Sequence, residues 1–181
     1  MHEALIAEQG QLCCYCGRRI TPADSHIEHF QPQKRYPDLA LDFANLHASC
    51  IRERRPGLPL HCGHAKDNDF DEALAIRPTS EDCERRFLYI AGTGDIRSVD
   101  LADAAADYMI GLLQLNVASL RNQRKDVLTR TFDLDFSVEE LAQLIEGCRR
   151  SAGIEFEHVM ARYAECLLEQ RAGSVAGGAS G

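Results

Sequence analysis

A chain of 181 residues, 45% hydrophobic and 27% charged, matches one globular domain or a small domain joined to another of similar size. No apolar run approaches the ~18 residues of a membrane span, and the start, MHEALIAEQGQ, lacks the basic-then-apolar order of a secretory leader. The net charge of −8 argues against a uniformly basic nucleic-acid binder, and eight cysteines without a leader fit a reducing, cytoplasmic setting in which clustered thiols hold metals rather than form disulfides.

In chain order, EALIAEQGQL (3–12) has apolar residues at 4, 5, 6 and 12, which predicts a short helix ending near Gly10. Residues 13–20 are turn-like, and Thr21-Pro22-Ala23-Asp24 is a second turn with proline at a tolerated first helical position. His26 to Phe30 reads as a short strand running into Gln31-Pro32, and residues 33–42 as loop. Phe43, Leu46 and Cys50 suggest a weak helical or turn segment over 43–50. Pro56, Gly57 and Pro59 make 52–60 a loop, and 64–76 is expected to be helical.

Further along, RFLYIAGTGDIRSV (86–99) reads as two strands around Gly92-Thr93-Gly94-Asp95. From Leu101 a 3.6-residue period predicts two helices meeting near Asn116. Ser137-Val138-Glu139-Glu140 has the form of a capping box opening another helix, Gly153 breaks it, and a last helix spans roughly 155–171. The fold class is therefore α+β. Three units are expected: 1–76, a 77–172 unit of hairpin plus helices, and a disordered tail over 173–181.

Metal-ligand residue types are concentrated at the front. Five of the eight cysteines and six of the seven histidines lie within residues 1–68, in CCYCG (13–17), HIEHF (26–30), NLHASC (45–50) and HCGHAKDN (61–68). Cys13-x-x-Cys16 followed by glycine forms a knuckle that converges two sulfurs, half of a tetrahedral zinc site. Cys50 and Cys62 are the natural second pair. Two cysteine pairs interleaved with histidines are a stronger signal than one CxxC, which redox motifs and chance also produce. Cys14 replaces Cys13 only at a cramped spacing, and His61 is an alternative fourth ligand. Cys83, Cys148 and Cys166 fall in helical or apolar context and read as core thiols.

Charge divides along the same line. Residues 1–68 hold eight basic and eight acidic residues, whereas 69–181 hold the other 12 basic and 20 acidic ones. The front of the chain is neutral, and its Arg52, Arg54 and Arg55 are free to meet phosphates, although any single Arg pair is more simply a solvated surface.

Taken together, C-x-Y-C-G, E-H-F-x-P, N-L-x-x-S-C and C-G-x-x-K over residues 13–68 resemble the HNH endonuclease family. The finer pattern is similar to the PtuB-like HNH subunits of Septu-type anti-phage systems, also found beside some retrons. It is carried by EQ…CCYC, SHIEHFQPQ and LDFANL…SC, with IRPTSEDCERRFLY and LQLN…LRNQR extending it over most of the chain.

The resemblance implies a zinc-stapled ββα-metal core that hydrolyses DNA phosphodiester bonds. The structural zinc falls on Cys13, Cys16, Cys50 and Cys62. His29 matches the general base that activates water, and Asn45 the residue that orients it. Glu28, where Asp is commoner, matches a ligand of the catalytic Mg²⁺ or Mn²⁺. On a regular strand Glu28 and His29 point to opposite faces, so bringing both to one site relies on the strand end or a bulge at Pro32.

This sequence departs from the family at the third letter. The position after the last zinc cysteine is Gly63, so the expectation passes to His64 as catalytic and metal-binding residue, with Asn68 one turn further. Lys66 matches a phosphate-contacting position, and the 11 residues between Cys50 and Cys62 exceed the usual two. His26 fits a second metal ligand, and better a packing or hydrogen-bonding histidine of the strand. His2 and His47 read as surface residues.

Three other functions compete. Loss of the third letter at Gly63 fits a non-catalytic zinc adaptor of the same fold. An RNA- or tRNA-directed nuclease shares every motif. A thioredoxin-like redox protein using Cys13 and Cys16 needs a β–α–β setting that the pattern lacks. The acidic helical half is a poor DNA contact and is expected to dock a partner, which the resemblance implies to be a PtuA-like ATPase subunit.

Overall fold

The computed structural model describes residues 1–150 and 153–177, with side chains as far as residue 172, and among these residues the chain forms two small antiparallel hairpins and six α-helices. The order is α1 (His2–Glu8), β1 (Ser25–His29), β2 (Leu46–Cys50), α2 (Gly63–Lys66), β3 (Phe87–Ile90), β4 (Asp95–Ser98), α3 (Ala104–Leu112), α4 (Ala118–Thr131), α5 (Val138–Arg150) and α6 (Glu157–Gly177). It is a mixed α+β architecture. No helix among the described residues is long and apolar enough to cross a membrane.

The first hairpin pairs β1 with β2 so that Glu28 opposes His47 and His26 opposes Ser49. Side chains alternate across a strand, so these four share one face. Asn45 closes the long loop between the strands. Its Oδ1 accepts from Gln31 N at 2.8 Å, while its Nδ2 donates to Gln31 O at 3.0 Å and Leu39 O at 3.2 Å. At 1% exposure, Asn45 has both ends of its amide satisfied by backbone.

Two expected elements differ. The 43–50 segment forms one 3-10 turn over Phe43–Asn45, capped by the Asp42 carboxylate, and then a strand. Its i, i+3, i+7 apolar spacing is overridden by pairing with β1 and by Gln9, whose side chain bonds both Ala48 N (2.7 Å) and Ala48 O (2.9 Å). The helix expected over 64–76 ends at Lys66. Asp67 turns out of it at φ +49, and Asp67-Asn68-Asp69 is a run of poor helix formers whose side chains compete for backbone groups.

The second hairpin, the helix junction near Asn116 and the capping box follow the pattern. Ser137 Oγ accepts from Glu140 N at 3.2 Å, and Glu140 Oε2 accepts from Ser137 N at 2.7 Å. The tail expected to be disordered over 173–181 falls on the end of α6 and, beyond 177, outside the described residues.

One buried apolar cluster runs from Leu5 and Ile6 through Leu46, Ala48 and Ile20 to Phe87, Met109, Leu120 and Val159. Backbone bonds tie the cysteine-bearing segments to the later part of the chain: Phe156 N donates to Gly17 O at 3.1 Å and Cys62 N to Leu113 O at 2.8 Å. The helical part therefore packs directly behind the cysteines.

Candidate metal centre and active site

Cys13, Cys16, Cys50 and Cys62 converge, with all four sulfurs within 4.8 Å of one another and all four residues buried. Two come from the turn before β1, one from the end of β2 and one from the residue entering α2. The turn closes through Gly17, whose φ of +68 suits glycine and whose N–H reaches Cys13 O at 3.0 Å. Cys62 also adopts positive φ, at +57.

The Cys16–Cys50 sulfur separation is 3.7 Å. A tetrahedral ion with sulfur ligands at ~2.3 Å requires edges of about 3.8 Å, so the set fits one thiophilic metal ion. Around it, Cys50 N donates to Cys13 Sγ at 3.3 Å, and His61 Nδ1 lies 3.2 Å from Cys62 Sγ and 3.6 Å from Cys50 Sγ. His61 therefore supports the sulfurs and stands outside the ligand set. Burial pushes the Cys62 thiol well up, and contact with Cys13 and Cys16 does the same to Cys50, because crowded thiols cannot all ionise without a cation. Cys14 is outside the group. Its N–H bonds Ala48 O at 3.1 Å, and burial raises its thiol.

A second constellation surrounds Glu28, which is only 6% exposed. Lys66 Nζ lies 2.9 Å from Glu28 Oε1, and Tyr15 Oη donates to the same oxygen at 3.3 Å. The other oxygen, Oε2, faces His26 Nε2 at 3.6 Å. Burial opposes charge on this carboxyl, but the His26 ring and the Lys66 ammonium outweigh it and hold Glu28 below its ordinary value.

Lys66, expected to contact phosphate, is instead 1% exposed and turned inward, with its ammonium also donating to His29 O at 2.9 Å. One buried lysine thus spans both residues of the Glu28–His29 pair. No bulge brings the two side chains together. The His29 ring lies on the other face of β1, where Nε2 donates to Ala40 O at 3.1 Å. A carbonyl only accepts, so this contact leaves the lone pair of neutral His29 on Nδ1. Ala40 adjoins Leu39, whose carbonyl Asn45 holds.

A side chain on residue 63 would require the ends of Glu28 and His26 to shift. A Cβ there would lie 2.4 Å from Glu28 Oε2 and 2.7 Å from His26 Nε2. The volume in front of residue 63 is filled by the ends of those two side chains.

His64 lies beside them, its ring 4.4 Å from that of His26. Its Nε2 donates to Arg52 O at 3.3 Å, and Arg54 Nε points at its Nδ1 at 3.5 Å. Asn68 is exposed and bonds Asp67. Among the described residues, the four cysteines are the one group of three or more His, Cys, Asp or Glu ligand atoms that converges. His64 thus forms no three-ligand group with His26 and Glu28, and Asn68 bonds Asp67 at the surface.

Two histidines escaped the sequence reading. His47, expected at the surface, is 6% exposed because β2 sets it opposite Glu28, and its Nε2 has no hydrogen-bond partner among the described residues. Recognising LHASC as a strand is the signal that finds it. His158 of α6 is buried against Gly17, and burial lowers it to about 4. His2 is half-buried and meets Ser25 Oγ at 3.1 Å. A cleft of about 530 Å³ that reaches Cys50 is lined by Arg18, Arg19, Arg52, Arg55 and His61, together with Asp24 and Glu53.

No protein-family model matches the chain. It is 34% identical over 90 residues to a Vibrio cholerae serotype O1 biovar El Tor protein described as "Retron Vc95 putative HNH endonuclease". The match covers 48% of this chain and 42% of that protein, so the chain spans less than half the length of its relative. With the four-cysteine cluster and the hairpin that carries Glu28 and His29, this similarity supports the HNH endonuclease family for the chain.

Proposed function

We propose that this protein is a metal-dependent HNH endonuclease that hydrolyses phosphodiester bonds in DNA. The observation that carries the reading is the joint arrangement of four converging thiols and a hairpin whose His29 keeps a lone pair on Nδ1. In this account the thiols bind zinc and clamp the turn before β1, the end of β2 and the start of α2 into a ββα core. Residues 1–76 then form the nuclease unit.

Each residue has a chemical task. In this proposal His29, the last residue of β1, reaches the phosphate around the strand end from the face opposite Glu28; its neutral ring takes a proton from the attacking water at Nδ1, while its Nε2–H stays on Ala40 O. Asn45 is a positioning residue: by holding Leu39 O and both backbone groups of Gln31 it fixes the loop that carries Ala40. Glu28 offers Oε2 to a divalent cation, while Lys66 and Tyr15 hold Oε1. When bound, Mg²⁺ or Mn²⁺ stabilises negative charge on the scissile phosphate and the leaving oxygen. The arginine-lined cleft is a path for the nucleic-acid backbone, and its remaining acids keep that contact local.

The acidic 77–172 region packs behind the cysteines and is the proposed docking surface for a PtuA-like ATPase subunit in an anti-phage complex. Purified protein, zinc-loaded, is to be incubated with supercoiled plasmid, single-stranded DNA and RNA in Mg²⁺ or Mn²⁺ and in EDTA. The reading expects nicked or linear plasmid only with the divalent ion. Intact plasmid beside degraded RNA would move the substrate to RNA, and inertness on all three would favour the adaptor.

A further inference from the structure

We propose that His26, two residues before Glu28 on β1, supplies the second protein ligand of the divalent ion, replacing the side chain that Gly63 lacks. The proposal rests on the nuclease reading above and concerns how that site is completed.

The geometry points there from three directions. First, His26 Nδ1 lies 2.7 Å from Ile51 O, a carbonyl that can only accept, so the neutral ring carries its lone pair on Nε2. A metal-binding histidine is commonly oriented in this way through its other nitrogen. Second, His26 Nε2 faces Glu28 Oε2 at 3.6 Å, longer than a well-formed N–H···O hydrogen bond. Once Nε2 gives up its proton, as metal binding to histidine requires, the two atoms are a pair of donors that one cation can bridge. Adjacent ligands at ~2.0–2.2 Å from an octahedral ion are separated by about 2.8–3.1 Å, so closure needs a shift of roughly half an ångström or a little more.

Third, a Cβ on residue 63 would meet these two groups first, at 2.4 Å from Glu28 Oε2 and 2.7 Å from His26 Nε2. A ligand projected from residue 63 and the ring of His26 therefore compete for one volume, and glycine is the residue that admits the histidine. Ser49 Oγ accepts from Gly63 N at 3.1 Å and keeps the backbone close. His64 does not take this place: its Nε2 is on Arg52 O, its Nδ1 faces Arg54, and its ring flanks that of His26. Lys66 and Tyr15 bind Oε1 and leave Oε2 to the ion.

The test is Mn²⁺ binding to zinc-loaded protein without nucleic acid, followed by electron paramagnetic resonance, with spin-echo detection of ¹⁴N coupling to the bound ion. The proposal predicts a ¹⁴N signal in wild type, its loss in His26→Ala, and a fall in Mn²⁺ affinity of about tenfold or more, the scale on which ligand-site changes act. His26→Asp, which restores an oxygen ligand, is expected to recover much of the affinity without the ¹⁴N coupling. His64→Ala is expected to keep both within about twofold. Thermal melts and zinc content verify that each variant is folded.

An unchanged ¹⁴N signal in folded His26→Ala, or its loss in His64→Ala alone, overturns the proposal. Plasmid cleavage by wild type together with either result leaves the nuclease reading standing. Conversely, Mn²⁺ bound through His26 by a protein that cuts nothing sinks the nuclease reading and not the ligand.

Discussion

Lys66 Nζ lies 2.9 Å from Glu28 Oε1, with the two side chains 1% and 7% exposed, so a buried ammonium and a buried carboxylate depend on each other. Breaking one side of such a pair leaves an uncompensated charge out of water, typically at a cost of about 3–5 kcal/mol. Lys66→Met is accordingly expected to lower the unfolding free energy of zinc-loaded protein by that amount in urea melts. The pH dependence has a definite sign. Glu28 is held below its ordinary value in the folded state, so its contribution is present above the unfolded carboxyl pKa of ~4.3 and is lost as pH falls through the folded value. In Lys66→Met this acid limb is predicted to move to higher pH.

The four-sulfur cluster makes a harsher prediction. It joins three chain segments that otherwise share only small elements, and structural zinc contributes on the order of 10–16 kcal/mol of apparent binding energy in small sites. That matches or exceeds the ~5–15 kcal/mol that holds an ordinary domain together. Cys62→Ser, or exhaustive chelation, is expected to remove one equivalent of zinc by mass spectrometry of the native protein and to abolish near-UV circular dichroism. Cys14→Ser, outside the cluster, is expected to retain the metal.

At the opposite side of the knuckle, Gly17 and His158 lock the last helix onto the metal centre. A Cβ on Gly17 would lie 2.1 Å from His158 Cε1, and φ is +68. Gly17→Ala is predicted to cost roughly 2–4 kcal/mol, from left-handed strain plus the overpacked ring.

His158 itself gives a second pH signature. Burial lowers it to about 4, so between pH 6.5 and that value the unfolded chain binds the proton and the folded chain does not. Stability therefore falls as pH drops through this window, by up to about 3 kcal/mol, and is unaffected above 6.5. His158→Gln is expected to flatten the change between pH 7 and 5.5. The check is the difference between the two unfolding curves.

Much of this was readable in the residues. The second hairpin, the helix junction and the capping box follow from local rules, and the cysteine spacings favour the four that converge while leaving His61 open as an alternative fourth ligand. Tertiary contacts decide the rest. LHASC has helix-like spacing but becomes a strand because β1 and Gln9 claim its backbone, and that change buries His47. The inward turn of Lys66 and the volume shared by Gly63, His26 and Glu28 depend on a hairpin crossing a four-residue helix, which no spacing encodes.

The central claim is that His29 performs proton abstraction in a divalent-dependent nuclease. Its most direct test is the initial rate of plasmid nicking by zinc-loaded wild type and His29→Ala at equal metal content. A positioned general base contributes typically 10²–10⁴-fold, so a loss of at least about a hundredfold with unchanged melting and zinc stoichiometry is expected. Equal rates in the two proteins would contradict the account.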